Sequence, residues 1–174
     1  MEVKIIDNFL DQSTFKNIHN EIMGDSFPWY FNDSIDFISG EGERFQFVHM
    51  LYRDVSEGYQ VVHSPSFQIL IPIIEKLKSK ILIRVKANLL TQTPDIIENK
   101  LHIDRSPYER QSTSILYMNT NNGYTKFENG EKVESVENRL ITFPNSFKHT
   151  GTTNSCDAIY RCVMNIDWIK REQD

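Results

Sequence analysis

The sequence predicts a mainly β fold with flanking helices, an α+β arrangement, and three patterns support this prediction. From Ile81 onward, apolar residues recur with a period of two, as they do in half-buried strands. Turn signals such as Asn121-Asn122-Gly123 and Asn129-Gly130 separate these segments, and short strands spaced roughly 8–12 residues apart are typical of a β-sandwich or barrel. The first half of the chain carries two segments of helical periodicity instead.

The two helices can be placed by their ends. Asp11 has a side chain suited to cap a helix that Gly24 would stop. Pro65 is acceptable in the first turn of a second helix that begins near Ser64. A short strand is expected before the first helix, at residues 3–6. The apolar residues at helical spacing are Phe15, Ile18 and Ile22 in the first helix and Phe67, Leu70, Ile71, Ile74 and Leu77 in the second.

Seven further segments are predicted to be strands. One spans residues 45–51, where aromatic and aliphatic side chains alternate with smaller or polar ones. The acidic stretch before it, from Asn32 to Glu43, contains two glycines and indicates a loop. The other strand segments are ILIRVKANLL, KLHID, STSILYMN, KFENGEKVESV, RLITFP and YRCVMNIDW.

Length and charge limit the classes of protein open to this chain. With 174 residues, we expect a single domain spanning residues 1–174 around one core. The net charge of −5 provides no overall positive field for a phosphate backbone, which argues against nucleic acid as a partner.

The sequence also bears on the compartment. The longest apolar stretch, residues 69–74, is far shorter than the ~20 residues that span a bilayer. The N-terminus lacks the basic start and apolar run of a signal peptide. Cys156 and Cys162 belong to no paired framework. We therefore expect a cytoplasmic protein with reduced thiols and no membrane association.

A candidate metal site can be assembled from three residues. His102 and Asp104 are two apart in KLHID, so their side chains should leave the same face of a strand. His149 follows several strands later, directly beyond the turn FPNSFK. Two histidines and one carboxylate form the facial triad of non-haem Fe(II) oxygenases, which leaves positions open for a chelating 2-oxo acid and O₂. A closed site with four protein ligands lacks this opening.

A candidate anion-binding residue follows the triad. Arg161 lies twelve residues after His149, in a predicted strand that places Val163, Asn165 and Asp167 on the same face. A guanidinium suits a carboxylate because its planar fork donates two parallel hydrogen bonds. Arg161 is therefore a candidate to bind a carboxylate group.

The order HID, then His149, then an arginine twelve residues later, with ILYMN and GYTKF between them, resembles the 2-oxoglutarate/Fe(II)-dependent dioxygenase superfamily, especially its prolyl 4-hydroxylase-like branch. The resemblance covers most of the chain, including the opening segment VKIIDNFLDQSTFKNIHNEI. It implies a double-stranded β-helix, or jelly roll, with the metal between its two sheets. It also implies a dioxygenase that hydroxylates its substrate, uses Fe(II), 2-oxoglutarate and O₂, and releases succinate and CO₂.

The resemblance assigns roles to individual residues. No catalytic residue is implied beyond the metal ligands. Leu90 departs from the pattern, since many relatives have a tyrosine there, and this weakens the match of the neighbouring Asn88. The implied metal ligands are His102, Asp104 and His149, and the implied contacts to 2-oxoglutarate are Arg161, which pairs with the C5 carboxylate, together with Tyr117, Asn165 and Asn88.

Two segments are candidates for a lid over the open face of the metal: Asn32 to Glu43, and Arg105 to Gln111. Because the second segment directly follows Asp104, its Tyr108 and Arg110 are candidate substrate contacts.

The substrate is expected to be a small molecule or a peptide, and peptidyl proline is the first expectation by analogy. Hydroxylation of a free amino acid or another small metabolite stays open, as does a non-catalytic jelly-roll binding protein. A nucleic-acid demethylase on the same fold is disfavoured by the acidic charge. A zinc hydrolase would leave Arg161 without a role. The sequence does not indicate an oligomeric state.

Overall fold

In a computed structural model the chain forms two antiparallel β-sheets, and helices pack on the outer face of the larger sheet. The structure describes residues 2–35, 44–56, 59–62, 64–104 and 111–170, with the backbone alone for residues 55, 56 and 59–62. The predicted mainly β fold with flanking helices is confirmed.

Eleven strands lie in the described part of the chain. They are β1 (Lys4–Ile6), β2 (Tyr30–Asn32), β3 (Gln46–Ser56), β4 (Tyr59–Val62), β5 (Ser79–Thr91), β6 (Ser112–Tyr117), β7 (Tyr124–Phe127), β8 (Lys132–Glu134), β9 (Leu140–Pro144), β10 (His149–Gly151) and β11 (Tyr160–Lys170). The larger sheet has the spatial order β1-β9-β6-β11-β5-β3-β2, with β4 paired to β3. The smaller sheet has the order β10-β7-β8.

The central strand β11 divides its side chains between the two faces of the larger sheet, as the period of two requires. Cys162, Met164 and Ile166 belong to the buried cluster under the helices. Val163 belongs to a second cluster between the two sheets, which also contains Phe127 of the smaller sheet. The predicted polar face of β11 is therefore turned toward the smaller sheet.

Helix α1 (Gln12–Ile22) forms as predicted. Asp11 caps it, because its Oδ1 accepts a hydrogen bond from Thr14 N at 2.9 Å. The predicted apolar face, Phe15, Ile18 and Ile22, is buried in the cluster against the larger sheet. Across the described ranges, no helix has both the length and the apolar composition needed to cross a membrane.

The second predicted helix is divided in two. Residues Pro65–Leu70 form a 3₁₀ helix, and α2 (Ile71–Leu77) follows it directly. Pro72 explains the division, because proline lacks an N–H and its ring clashes with the carbonyl four residues earlier in a continuous α-helix. Pro72 is tolerated here because it lies in the first turn of α2.

Asn138 ties the segment before α1 to the turn before β9. Its side chain is buried; Oδ1 accepts a hydrogen bond from Leu10 N at 2.9 Å and Nδ2 donates to Leu10 O at 2.8 Å. Its φ of 59° lies in the left-handed region, which asparagine adopts more readily than alanine. One side chain thus satisfies two buried backbone groups and allows the turn.

We predict that Asn138→Ala lowers the free energy of unfolding by about 3 kcal/mol, because it leaves both Leu10 groups unpaired and adds backbone strain. Denaturant unfolding of variant and parent measures this change. Asn17→Ala, on the exposed side of α1, is the matched control and should stay within about 0.5 kcal/mol. Equal stability of the two variants would contradict the role of Asn138.

Candidate metal centre

Backbone pairing brings the two predicted histidine ligands together. On the side of β10 away from β7, His149 and His102 form an isolated antiparallel bridge. His102 N donates to His149 O at 2.9 Å, and His149 N donates to His102 O at 3.0 Å. Directly opposed residues share a face, and the two ring centroids are 4.8 Å apart. The segment KLHID therefore forms a single bridge and not the predicted full strand. This bridge sets the distance between the two histidine side chains.

Backbone carbonyls select the tautomer of both rings. The Nδ1 atom of His102 lies 3.1 Å from Lys100 O, and that of His149 lies 3.1 Å from Phe147 O. Because a carbonyl oxygen can only accept, each Nδ1 is the donor, and in the corresponding neutral tautomer Nε2 has the free lone pair. Burial lowers the pKa of His149, which favours the neutral ring. Both imidazoles therefore offer Nε2 to a metal ion.

Asp104 supplies a buried carboxylate. Its Oδ1 accepts a hydrogen bond from Arg84 Nη2 at 2.8 Å, and its Oδ2 lies 3.6 Å from His149 Nε2. Burial raises the pKa of Asp104, but the charge of Arg84, the Arg84 hydrogen bond and the two nearby imidazoles outweigh this effect, so the net shift is downward. The Oδ2 atom has no hydrogen-bond partner among the described residues. A buried, ionised and unpaired oxygen is unfavourable on its own and fits a cation.

The three donor groups are close enough to converge on one ion. Their ligand atoms all lie within 4.8 Å of one another. Two imidazoles and one carboxylate suit Fe(II) and other divalent ions of the first transition series. The residues present therefore fit the metal that the sequence implies.

Arg84 holds the carboxylate ligand in place, and sequence reasoning missed it. Its Nε donates to Asp167 Oδ2 at 2.6 Å, and Thr113 Oγ1 donates to the other Asp167 oxygen at 2.9 Å. Arg84 and Asp167 lie opposite each other in the pairing of β5 with β11. The sequence signal was the position of Arg84 and Asp167, each among apolar residues of a predicted strand. A buried charge at such a position needs a partner.

Arg161 is a buried cation on β11 and is not one of the three candidate metal ligands. Its Nε donates to Ser135 Oγ at 2.8 Å, its Nη2 donates to Thr125 Oγ1 at 3.4 Å, and its Cζ lies 5.6 Å from the ring centroid of Tyr117. Burial lowers the pKa of Arg161, but a guanidinium stays protonated in proteins. No carboxylate in the described ranges forms an ion pair with it. The charge is therefore open to an incoming anion.

Two glycines make room for this side chain. A Cβ at Gly123 would lie 2.7 Å from Arg161 Cδ and 2.7 Å from Thr153 O, so a larger residue would force the backbone to shift. A Cβ at Gly151 would lie 3.3 Å from Arg161 Nη1. Gly151 also lines the cavity beside Arg161, so the absence of a side chain there leaves Nη1 accessible.

A cavity of about 90 Å³ is lined by His102 and His149 and by Arg161, whereas Asp104 is not among its lining residues. Asn88 and Asn165 line it, and the Oδ1 atom of each has no hydrogen-bond partner among the described residues. Tyr117 is fully buried instead, and its hydroxyl donates to Thr125 Oγ1 at 2.8 Å. Thr125 lines the cavity, so Tyr117 lies behind it. The other lining residues that the sequence had singled out are His102, His149 and Arg161.

Lys86 is a second cation in this cavity, and sequence reasoning missed it as well. Burial lowers its pKa to about 8, and the nearby charge of Arg84 adds to the effect. The signal was its position in KANLL, two residues from Asn88 and therefore on the same strand face.

The candidate substrate contacts Tyr108 and Arg110 lie outside the described residues, as do residues 36–43 of the first predicted lid segment. Of that segment, Asn32 ends β2 and Ile35 lines the cavity.

Solved structures that share this fold include a 2-oxoglutarate/Fe(II) oxygenase family protein and prolyl hydroxylases. The chain superposes on an oxidoreductase of the 2OG-Fe(II) oxygenase family from Burkholderia pseudomallei with a TM-score of 0.71 and 10% identity, over 98% of this chain and 86% of that one. The jelly-roll fold implied by the sequence is therefore confirmed, and the resemblance to the prolyl 4-hydroxylase-like branch holds at the level of fold.

Two prolyl hydroxylases illustrate the likeness. One, from Trichoplax adhaerens, in complex with a hypoxia inducible factor oxygen degradation domain peptide fragment, gives a TM-score of 0.64 at 13% identity, over 95% of this chain and 83% of that one. The viral collagen prolyl hydroxylase from Paramecium Bursaria Chlorella virus-1, a 2OG complex, gives 0.57 at 13% identity, over 99% and 97%. No family model matches the sequence, and no curated protein matches it. A shared fold at this level of identity does not determine an activity, which depends on the residues of the site.

We predict that His149→Ala weakens binding of a divalent ion by at least about 100-fold, since loss of even a supporting residue lowers metal affinity 10- to 100-fold. Anaerobic titration with Fe(II), or calorimetry with Zn(II), measures the affinity and the stoichiometry. His19→Ala, on α1 and outside the triad, is the matched control and should bind one ion like the parent. Unchanged metal binding in His149→Ala would refute the ligand assignment.

A second prediction concerns the support of Asp104. Arg84→Met should lower the free energy of unfolding by about 3–5 kcal/mol, because two buried carboxylates lose their cation. Added Zn(II) should restore part of this loss, since it neutralises one of them. Denaturant unfolding with and without Zn(II) measures both effects, and Arg53→Met, at an exposed position of β3, is the control. Equal stability of the two variants would rule out this role for Arg84.

Proposed function

We propose that this protein is an Fe(II)- and 2-oxoglutarate-dependent dioxygenase that hydroxylates an organic substrate. One observation carries the proposal: a single cavity is lined by the two histidines of the His102, Asp104 and His149 cluster and by the buried guanidinium of Arg161, which has no carboxylate partner among the described residues. 2-Oxoglutarate matches both, because it is a chelating 2-oxo acid at one end and a carboxylate at the other.

Each residue of the site has a role that follows from its position. His102, Asp104 and His149 would hold the ion, which when bound supplies chelation of the 2-oxo acid and activation of O₂. Arg84 would keep Asp104 ionised and oriented. Arg161 would bind the C5 carboxylate of 2-oxoglutarate.

Three further residues are proposed to support the co-substrate. Asn88 and Asn165 line its cavity and have unpaired amide oxygens. Tyr117 lies behind Thr125, so we assign it a supporting role through that hydroxyl group. All three would fix the orientation of the co-substrate, which matters because the reacting atoms must be aligned.

The overall reaction converts a substrate C–H bond to C–OH. One atom of O₂ enters the hydroxyl group and the other enters succinate, while 2-oxoglutarate loses CO₂. A small molecule or a peptide is the expected substrate, and the structural likeness to prolyl hydroxylases makes peptidyl proline one candidate. A zinc hydrolase accounts less well for the cavity, since it gives Arg161 no role. A binding protein without a metal leaves the buried Asp104 oxygen unexplained.

We predict that the Fe(II)-loaded protein forms succinate from 2-oxoglutarate, and that Arg161→Ala weakens 2-oxoglutarate binding about 10- to 100-fold. The size follows from the roughly 1.5–3 kcal/mol that a hydrogen bond to a charged group contributes. Calorimetry on Zn(II)-loaded protein measures the binding step without turnover. Zn(II) affinity should be unchanged, because Arg161 contacts no metal ligand.

Two further variants serve as controls for this test. Arg161→Lys retains the charge and should bind 2-oxoglutarate between the parent and Arg161→Ala. Arg53→Ala removes an exposed arginine from β3 and should bind like the parent. If folded Arg161→Ala bound 2-oxoglutarate as tightly as the parent, the proposed role would be lost, and absence of 2-oxoglutarate binding in the parent would overturn the proposed function.

A further inference from the structure

Lys86 lines the same cavity as the candidate histidine ligands His102 and His149 and Arg161. It lies on β5, with Asn165 opposite it on β11 and Met50 opposite it on β3. The ammonium group forms neither a hydrogen bond nor an ion pair with any described residue. Asp104 and Asp167 attract the Lys86 ammonium group through space, but both carboxylates form their ion pairs with Arg84. Lys86 is thus a cation held in a cavity without a partner.

The strand places Lys86 nearer to the metal ligands than to Arg161. Along β5, Arg84 contacts Asp104, and Leu90 lies opposite Arg161. A strand rises about 3.3 Å per residue, so the Cα of Lys86 is about 7 Å from that of Arg84 and about 13 Å from that of Leu90. Arg161 is therefore better placed for the far carboxylate of 2-oxoglutarate, and Lys86 for a group beside the metal.

With the metal ion and 2-oxoglutarate bound, the charges of the site would sum to a net positive value, which favours a further anionic group. The ion contributes two positive charges and Asp104 removes one, while Arg84 and Asp167 cancel each other. Arg161 and Lys86 add one positive charge each. 2-Oxoglutarate brings two negative charges, so one positive charge is left within the described part of the site. Lys86 is only partly exposed to solvent, and a partly buried positive charge is less favourable when it is unpaired.

We propose that Lys86 binds a carboxylate of the primary substrate, and that this substrate is a small free acid of net negative charge, such as a carboxylic acid or an acidic amino acid, rather than an internal peptide residue. The proposal rests on the proposed function and specifies its substrate class. An internal residue of a peptide presents only neutral amides beside its side chain, whereas a free acid supplies the missing negative charge. The same contact would orient the substrate for attack, since a charge-assisted hydrogen bond fixes one end of the molecule.

The test compares acids with their own amides. Zn(II)-loaded protein is first saturated with 2-oxoglutarate and then titrated by calorimetry with acetate, the free L-amino acids and the primary amide of each. Proline peptides blocked at both ends are included as neutral probes. At least one acid should bind at least tenfold more tightly than its amide.

The variants isolate the contribution of the charge. Lys86→Met should lose at least tenfold in affinity for that acid, whereas Lys86→Arg should retain most of it. Lys80→Met, at an exposed position of the same strand, should behave like the parent. Lys86→Met should bind Zn(II) and 2-oxoglutarate within about twofold of the parent.

Three results would overturn the proposal while the proposed function stands. One is that no acid binds better than its amide or than the blocked peptides. Another is that Lys86→Met binds acids like the parent. The third is that Lys86→Met weakens 2-oxoglutarate binding as strongly as Arg161→Ala, which would make Lys86 a co-substrate residue. If the parent bound no 2-oxoglutarate at all, the proposed function would fail first, in the step before any acid is added.

Discussion

The register between β5 and β11 is the constraint on which the candidate site depends. It sets Arg84 opposite Asp167, Lys86 opposite Asn165 and Leu90 opposite Arg161. Because side chains alternate with a period of two, a slip of one residue would move every polar group of one strand to the helix face and bring apolar groups into the cavity. The register is protected by burial of the opposite face, where Val85, Ala87, Cys162, Met164 and Ile166 pack beneath the helices. Core packing on one face thus fixes the chemistry on the other.

The polar face is stabilised only in part by the protein itself. Arg84 compensates Asp104 and Asp167, and Ser135 and Thr125 accept hydrogen bonds from Arg161. The second oxygen of Asp104 and the amide oxygens of two asparagines are left without partners among the described residues. Such groups lower the stability of the ligand-free fold. A ligand that satisfies them binds the folded state selectively, and therefore stabilises it.

The sequence predicted what local periodicity controls and missed what depends on distant pairing. The Asp11 cap, the strand alternation and the convergence of His102, Asp104 and His149 follow from short patterns or from the order of the motif. Arg84 and Lys86 were missed because alternation assigns a side chain to a face but does not name the strand opposite. The bridge between His102 and His149 was missed because it joins distant segments. The 3₁₀ helix was missed because the helical spacing of apolar residues continues across Pro72, where the α-helix cannot be continuous.

Two sets of polar contacts join the sheets at the two ends of the cavity, and we call each set a clamp. They explain how the cavity stays open between the sheets. At one end, His149 belongs to the smaller sheet and Asp104 is tied to the larger sheet through Arg84, so an ion held by both would join the sheets there. At the other end, Arg161 of the larger sheet bonds to Thr125 of the smaller sheet and to Ser135, which directly follows β8. These bonds use Nε and Nη2, and the third nitrogen, Nη1, lies beside Gly151 at the cavity wall. A carboxylate can therefore pair with Arg161 without breaking the clamp that keeps the cavity open.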